Sequence, residues 1–474
     1  MYLCTPLQNP LIMTLITSIS GIRGTIGGKP GESLTPVDIV KYTGAYGTWL
    51  KKRFPGQPVT VFLGRDARIS GKMVNKMVTS LLQSLGINVI DAGLVPTPTV
   101  GIGVREYECQ GGIIITASHN PKQWNALKLL NEKGEFLDNA EGNEMMDLAD
   151  TANFHFVGVD KLGYYHFEEN ALEMHIEKIL ELDLVDSEAI ASADFRIAVD
   201  AVNSVGGIAV PLLLDALGVK KVTEVFCEPN GYFPHNPEPL PEHLSILSEE
   251  VIKTNAHVGF AVDPDVDRLA IVSNNGEMFG EEYTLVAVAD YVLQQKPGNT
   301  VSNLSSTQAL KEITLKRGAE YYSSAVGEIN VVKKMKEVNA IIGGEGNGGV
   351  IYPEIHYGRD ALTGIALFLS YLAKSKQSCV AMKKNLPDYN ISKHKIELSQ
   401  GIDLNDILEK ISIQYQKQTI DKTDGVKIYF GNEWVHLRKS NTEPIIRIYA
   451  ESDSDVKSEN LARKIMNDIS ELIR

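Results

Sequence analysis

The chain has 474 residues, 43% hydrophobic, 22% charged and 7% aromatic, which excludes a collagenous, coiled-coil or wholly disordered polypeptide. A single core stops growing near ~250–300 residues, so three or four domains are expected. With 46 lysines and arginines against 60 acids the net charge is −14, which argues against a nucleic-acid binder but not against a locally basic cleft for a small anion.

No stretch approaches the ~20 uninterrupted apolar residues of a membrane span; even 201–217 is broken by Asn203, Ser204 and Asp215. The cysteines Cys4, Cys109, Cys227 and Cys379 lie far apart with no C-x-x-C, which fits a reducing cytoplasm. Residues 1–14 lack a basic n-region, so no signal peptide is expected, and Met13 offers an alternative start.

In chain order, residues 59–63 read as a strand ended by Gly64-Arg65-Asp66, followed by a helical pattern through Met73, Val74, Met77, Leu81 and Leu82. Strands at 88–90 and 112–115 flank a loop at 96–98. The pattern restarts with a strand at 195–199, a helix over 207–217 and strands at 222–226 and 258–262. It restarts again with a strand at 301–304, a helix over 307–317 and a strand at 340–342. Short β-rich runs alternating with helices indicate parallel βαβ units. After a junction within 385–395, strands at 426–430, 434–437 and 445–450 and a closing helix over 456–472 predict a smaller α+β domain. The expected fold is therefore three similar α/β domains with mixed, largely parallel sheets, over 1–158, 159–277 and 278–386, and an α+β domain over 387–474.

Each α/β unit contains an apolar strand that runs into a polar or glycine-rich loop, and in open parallel sheets ligands bind at the carboxyl ends of strands. The first loop, Thr116-Ala117-Ser118-His119-Asn120-Pro121, reads as an ordinary turn or as a serine hydroxyl able to carry a phosphoryl group beside a histidine. Lys128, ten residues on, reads as an ordinary surface lysine or as a cation able to neutralise charge there. The second, Asp263-Pro264-Asp265-Val266-Asp267-Arg268, sets three carboxylates at alternate positions, which can turn towards one hard cation such as Mg2+. It is no EF-hand, because Arg268 stands where that loop needs Gly and Asn274 where it needs Glu.

The third loop contains a literal G-x-G-x-x-G from Gly344 to Gly349. No helix opens behind it and the acid expected about twenty residues later is missing, so a nicotinamide cofactor is rejected. Glu345 and Asn347 could instead read sugar hydroxyls. In the last domain Arg438-Lys439-Ser440-Asn441-Thr442-Glu443-Pro444 and Arg447 combine cations and hydroxyls as a phosphate cradle would.

Taken together, residues 20–24, 64–68, 116–121 with Lys128, 263–268, 344–349 and 438–444 resemble, in order and at domain spacing, the α-D-phosphohexomutases. The resemblance implies four domains around a central cleft and a soluble cytoplasmic enzyme, monomer or homodimer, acting on a small-molecule sugar phosphate. It implies a phosphorylated Ser118, with Mg2+ held by Asp263, Asp265, Asp267 and the serine phosphate. Arg23 and Lys128 would flank the transferring group, with Arg268 beside the metal loop and His119 beside the serine. Glu345 and Asn347 would read the sugar, while Arg438, Ser440, Asn441, Thr442 and Arg447 would hold the phosphate that is not reacting. The implied reaction interconverts hexose 6- and 1-phosphates through a hexose 1,6-bisphosphate; a magnesium-dependent phosphatase and a non-catalytic sugar-phosphate binder are the alternatives. One departure stands out. Many members carry histidine where this chain has Gly349, so the proton acceptor falls to His356, Glu345 or His119.

Overall fold

The structure, a computed structural model, describes residues 13–18, 21–397, 403–439 and 445–473. Its first sheet runs, edge to edge, Ile16–Ser18, Gly21–Thr25, Trp124–Leu130, Gly111–Ile115, Thr60–Arg65, Asn88–Leu94 and Tyr165–Phe167. The second runs Leu269–Ser273, Val258–Val262, Arg196–Asp200 and Lys221–Val225. The third runs Gly349–Ile351, Ile342–Glu345, Thr300–Asn303 and Tyr321–Ser324.

One motif recurs in all three. Three parallel strands lie side by side, and the last of them in sequence turns back into an antiparallel neighbour. Each reversal is one of the three chemically marked loops, so all three occupy the same topological position at a strand's carboxyl end. Helices cover the sheets, which is why Val258–Val262 and Leu269–Ser273 are buried at every residue and read as unbroken apolar runs. One hydrophobic core runs through Phe62, Val199, Phe260, Val286 and Phe368, uniting residues of all three sheets and their helices.

The last domain is a five-stranded antiparallel sheet, in the order Asn390–Glu397, Ile445–Ser452, Glu433–Lys439, Val426–Phe430 and Thr419–Asp421. Helices Leu404–Gln414 and Asp455–Ile473 close a separate core around Ile411, Val435, Ile448 and Ile465. The α+β reading of the C-terminus and the three mixed sheets match the expectation.

Three details differ from it. Residues 97 and 98 are not loop but open the helix Thr97–Glu106, where the missing N–H of Pro98 costs nothing because first-turn donors have no intrahelical partner. The first sheet gains Tyr165–Phe167, from beyond residue 158, which supplies the edge of Asn88–Leu94 with hydrogen-bond partners. The third loop is a tight hairpin, since Glu345 ends one strand and Gly349 begins the next.

A buried polar chain ties helices of the units together. His175, on Ala171–Leu180, bonds Thr99 Oγ1 through Nδ1 at 2.9 Å and Asp360 Oδ2 through Nε2 at 3.0 Å. Asp360 also caps the apolar helix Ala361–Ser375, accepting from the N–H groups of Leu362 and Thr363. Burial pushes the Asp360 carboxyl up, but His175 and His356 outweigh burial and hold it well below its ordinary value of 3.8. A depressed carboxylate contributes stability that is full above its unfolded value and lost as pH falls below it. Asp360→Ala removes cap and pair together and is expected to cost about 3–5 kcal/mol. Denaturant unfolding at neutral pH checks this, and the gap to the parent should narrow below pH 4.

Candidate active site

The serine loop is built from a cage. Arg68, fully buried, donates through Nε to Asp66 Oδ2 at 2.9 Å. Its Nη atoms bond the carbonyls of Ser118, Asn120, Pro121 and Trp124. Thr116 Oγ1 donates to Asp66 Oδ2 at 2.6 Å and accepts the N–H of Ser118 at 2.9 Å. This network holds Ser118 in the left-handed region at φ 48°, a conformation that costs a non-glycine residue roughly 1–3 kcal/mol and persists only when its surroundings over-determine it. The hydroxyl is thereby aimed across the unit boundary, donating to Asp263 Oδ2 at 2.8 Å, with His119 Nδ1 at 3.4 Å.

The acidic loop is equally constrained. Val266, fully buried, has φ 59°, an outlier for a β-branched residue, and this bend lets Asp263, Asp265 and Asp267 face one point. Their ligand oxygens lie within 4.8 Å of one another, and all three residues are buried. Asp263 Oδ1 accepts the N–H groups of Asp267 and Arg268 at 3.1 and 3.2 Å. Asp265 Oδ2 accepts from Lys128 Nζ at 2.7 Å and from Thr97 Oγ1 at 2.5 Å. Asp267 Oδ2 accepts from Arg359 Nη2 at 2.6 Å. The other oxygens, Asp265 Oδ1 and Asp267 Oδ1, are buried without any partner. Two orphaned carboxylate oxygens beside a third carboxylate suit a hard divalent cation.

The electrostatics follow from burial and neighbours. Burial, then the charges of Asp267 and Asp265, push Asp263 well above the usual carboxylate range. For Asp265 burial acts upward too, but Lys128 outweighs it and holds the carboxyl low. Burial lowers Lys128, and Asp265 with Asp267 more than restore it, so the ammonium stays charged. Burial, then Arg268 and Arg359, hold His119 well below its ordinary value, leaving the imidazole neutral at physiological pH.

A cavity of about 430 Å³ opens beside these loops, and residues from all three sheets and the last domain line it. His119 comes from the first, Arg268 and Glu238 from the second, Glu345 and Asn347 from the third, and Lys393, Arg438 and Arg447 from the last. Arg268 Nη1 is held by Glu238 at 3.1 Å and Arg438 Nε by Asp424 at 2.9 Å. Arg23 lies opposite Ala126 in the first sheet. Arg23 and Arg447 have no ion pair among the described residues. Ser440, Asn441 and Thr442 lie outside the described residues. Glu345 lines the cavity, but its Oε1 already accepts from Asn303 and the Gly327 N–H, and its Oε2 from Arg359 at 2.8 Å. His356 faces elsewhere: it is buried with Nε2 3.7 Å from Asp360, away from this cavity, so it does not stand in for the absent histidine.

Sequence reasoning missed Arg68 as the cage, Thr97, Arg359 and Glu282. Glu282 lines the cavity, accepts the Thr307 N–H at 2.9 Å, and is pushed up to about 8 by burial. Its Oε2 occupies the space a side chain at Gly346 would need. A charged residue directly ahead of the Asp360 cap was the one available signal for Arg359.

The comparisons agree with this architecture. The chain matches the phosphoglucomutase/phosphomannomutase α/β/α domains I, II and III over residues 15–155, 173–276 and 280–389, and the C-terminal domain over 397–468. It is 36% identical over 441 residues to a phosphoglucomutase/phosphomannomutase of Thermococcus kodakarensis, covering 92% of this chain and 95% of that one. It is 31% identical over 464 residues to a phosphoglucosamine/phosphogalactosamine mutase of Sulfurisphaera tokodaii, covering 96% and 98%. A crystal structure of a phosphoglucomutase/phosphomannomutase family protein from Burkholderia thailandensis superposes with a TM-score of 0.81 at 24% identity, covering 96% of each chain. With four matched domains in order and their loops gathered on one cavity, the chain belongs to the phosphoglucomutase/phosphomannomutase family of phosphohexomutases.

Proposed function

We propose that this phosphohexomutase moves a phosphoryl group between O6 and O1 of a hexose through a phosphoserine at Ser118 and a hexose 1,6-bisphosphate. The labour is divided over residues 1–158, 159–277, 278–386 and 387–474. The observation that carries the reading is the Ser118 hydroxyl, aimed by its cage at the carboxylate cluster with a neutral imidazole beside it. A bound divalent cation would supply charge neutralisation on the serine phosphate, and the two orphaned oxygens of Asp265 and Asp267 are the atoms left to hold it.

The rest falls to side chains. The free sugar hydroxyl attacks phosphorus in line, its O–P bond forms as the Ser118 Oγ–P bond breaks, and its proton passes to His119. Lys128 and Arg23 stand by the transferring group as fixed cations, so little reorganisation accompanies charge movement. His119 returns the proton it took to the departing Ser118 Oγ. In the return step Ser118 Oγ attacks the other phosphate in line, its O–P bond forming as the bond from that phosphorus to the sugar oxygen breaks, and the serine proton passes through His119 to the sugar oxygen. Arg438 and Arg447, with Ser440, Asn441 and Thr442, grip the distal phosphate, while Glu345 and Asn347 read the sugar. A reducing cytoplasm suits Cys109, Cys227 and Cys379, which are free thiols. No helix among the described residues is long and apolar enough to cross a membrane. The functional form would be a monomer or homodimer.

Ser118→Ala is expected to lower mutase turnover at least about a thousandfold while sparing substrate affinity. Product analysis of the parent should give isomerised sugar phosphate without inorganic phosphate. Turnover retained by the alanine variant would refute the phosphoserine. Asp265→Asn should raise the half-saturating Mg2+ concentration at least about tenfold, read by titration of activity. Arg438→Ala should raise KM about ten- to a hundredfold with kcat changed only a few-fold, because the distal phosphate is gripped equally in ground and transition states.

A further inference from the structure

Gly349 begins the strand that returns from the sugar loop, and its φ lies outside the left-handed region. Its lack of a side chain therefore answers to space rather than to backbone conformation. A Cβ there would stand 2.3 Å from Arg359 Cδ, 3.0 Å from Arg359 Cγ and 3.1 Å from Asn347 Oδ1. The stem of Arg359 fills the volume that any larger residue at 349 would take.

What that arginine does with the space is specific. Its Nη2 bonds Asp267 Oδ2 at 2.6 Å, its Nη1 bonds Glu345 Oε2 at 2.8 Å, and its Nε lies 3.2 Å from Glu328 Oε2. The backbone N–H of Arg359 bonds Glu328 Oε1 at 3.0 Å. A planar fork can meet carboxylates in fixed relative directions, which an ammonium cannot. Asp267 belongs to the acidic loop and Glu345 to the sugar loop, so one guanidinium joins hairpins of two different sheets. It takes one oxygen of Asp267 and leaves Oδ1 turned free. Arg359 is absent from the cavity lining, so it acts on the reaction at one remove, by its bonds to these two carboxylates and by its charge on His119.

We propose that Arg359 is the positioning residue that fixes the acidic loop against the sugar loop, and that Gly349 is bare in order to admit it. This rests on the mutase reading above for its kinetic part and on packing alone for its steric part.

The test is a cycle of Arg359→Ala, Gly349→Ala and the double variant, with Arg359→Lys as the conservative control. Arg359→Ala is expected to lower kcat about 10- to 100-fold, the range lost when groups orienting metal ligands are removed, with KM within a few-fold. Arg359→Lys keeps the charge but not the fork and should recover only part of kcat. Gly349→Ala should show the same kcat loss, because the added methyl displaces the arginine. In the Arg359→Ala background the methyl has room, so its further cost in kcat and in apparent Tm should nearly vanish. The proposal is overturned if Arg359→Ala keeps kcat within twofold of the parent. It is equally overturned if Gly349→Ala costs the same Tm with and without the arginine. The Tm cycle needs no substrate, so a parent devoid of mutase turnover would sink the mutase reading while the steric coupling is still measured. Should Arg359→Ala not fold, Arg359→Lys with full parental kcat overturns the proposal as well.

Discussion

Three carboxylates buried in one six-residue turn govern this structure. Like charges so close raise one another's pKa and resist burial unless cations face them. The acidic loop contains only Arg268, and that guanidinium points to Glu238. Its charge lowers the Asp263 pKa, and the compensation of the other two comes from elsewhere: Lys128 from the first sheet and Arg359 from ahead of Ala361–Ser375. The loop's backbone is claimed from the same directions, since Thr97 N–H bonds the Asp265 carbonyl and Ala361 N–H bonds that of Val266. Packing the units together brings the neutralising cations to the acids, and the same packing makes the hydrophobic core continuous across all three sheets.

That assembly also sets the reactive geometry. Ser118 and Val266 both sit in the left-handed region, and each is held by bonds that leave no cheaper alternative. The strain is located where two loops must present side chains to each other at hydrogen-bond distance. Phosphoryl transfer asks little covalent chemistry of a protein and much positioning. A caged serine, a cluster with one free oxygen on each of two carboxylates, and a neutral histidine supply that positioning before substrate arrives. The cavity departs from the acidic balance of the whole chain, since Arg268, Lys393, Arg438 and Arg447 line it against Glu238, Glu281, Glu282 and Glu345.

Much of this was legible from the chain. The alternation of apolar strands and helical periods gave three repeats, and loops at strand ends marked Ser118 and the three aspartates, since both signals are local. Arg359 and Thr97 were not legible, because their partners on the acidic loop, Asp267 and Asp265, lie 92 and 168 residues away and little near them advertises the pairing. The glycines of the third loop misled for a different reason. Their pattern suggests a ligand loop, whereas at Gly346 and Gly349 the side-chain space is taken by Glu282 and Arg359. The helix at Thr97–Glu106 was hidden by two prolines whose turn-forming reputation masks their fitness for a first helical turn.

The last domain follows a different rule. Its core is its own, and its seam with the third unit is polar: Lys427 Nζ bonds the Leu304 carbonyl at 2.7 Å, Ser305 Oγ meets His436 Nδ1 at 2.9 Å, and the Gln308 and Val326 N–H groups bond Glu451 and Asp424. Polar seams between separately cored domains are those for which relative motion is the default expectation. The residues carried across that seam, Arg438 and Arg447, are the distal cations of the cavity, whereas Ser118, Asp263 and Lys128 belong to elements sharing the continuous core. Under the proposed mechanism the reacting groups would therefore keep their alignment when the distal grip is released. In the proposed mechanism a bisphosphate exchanging its two ends without leaving would use that division: an immobile centre for bond making, and a phosphate clamp that can let go.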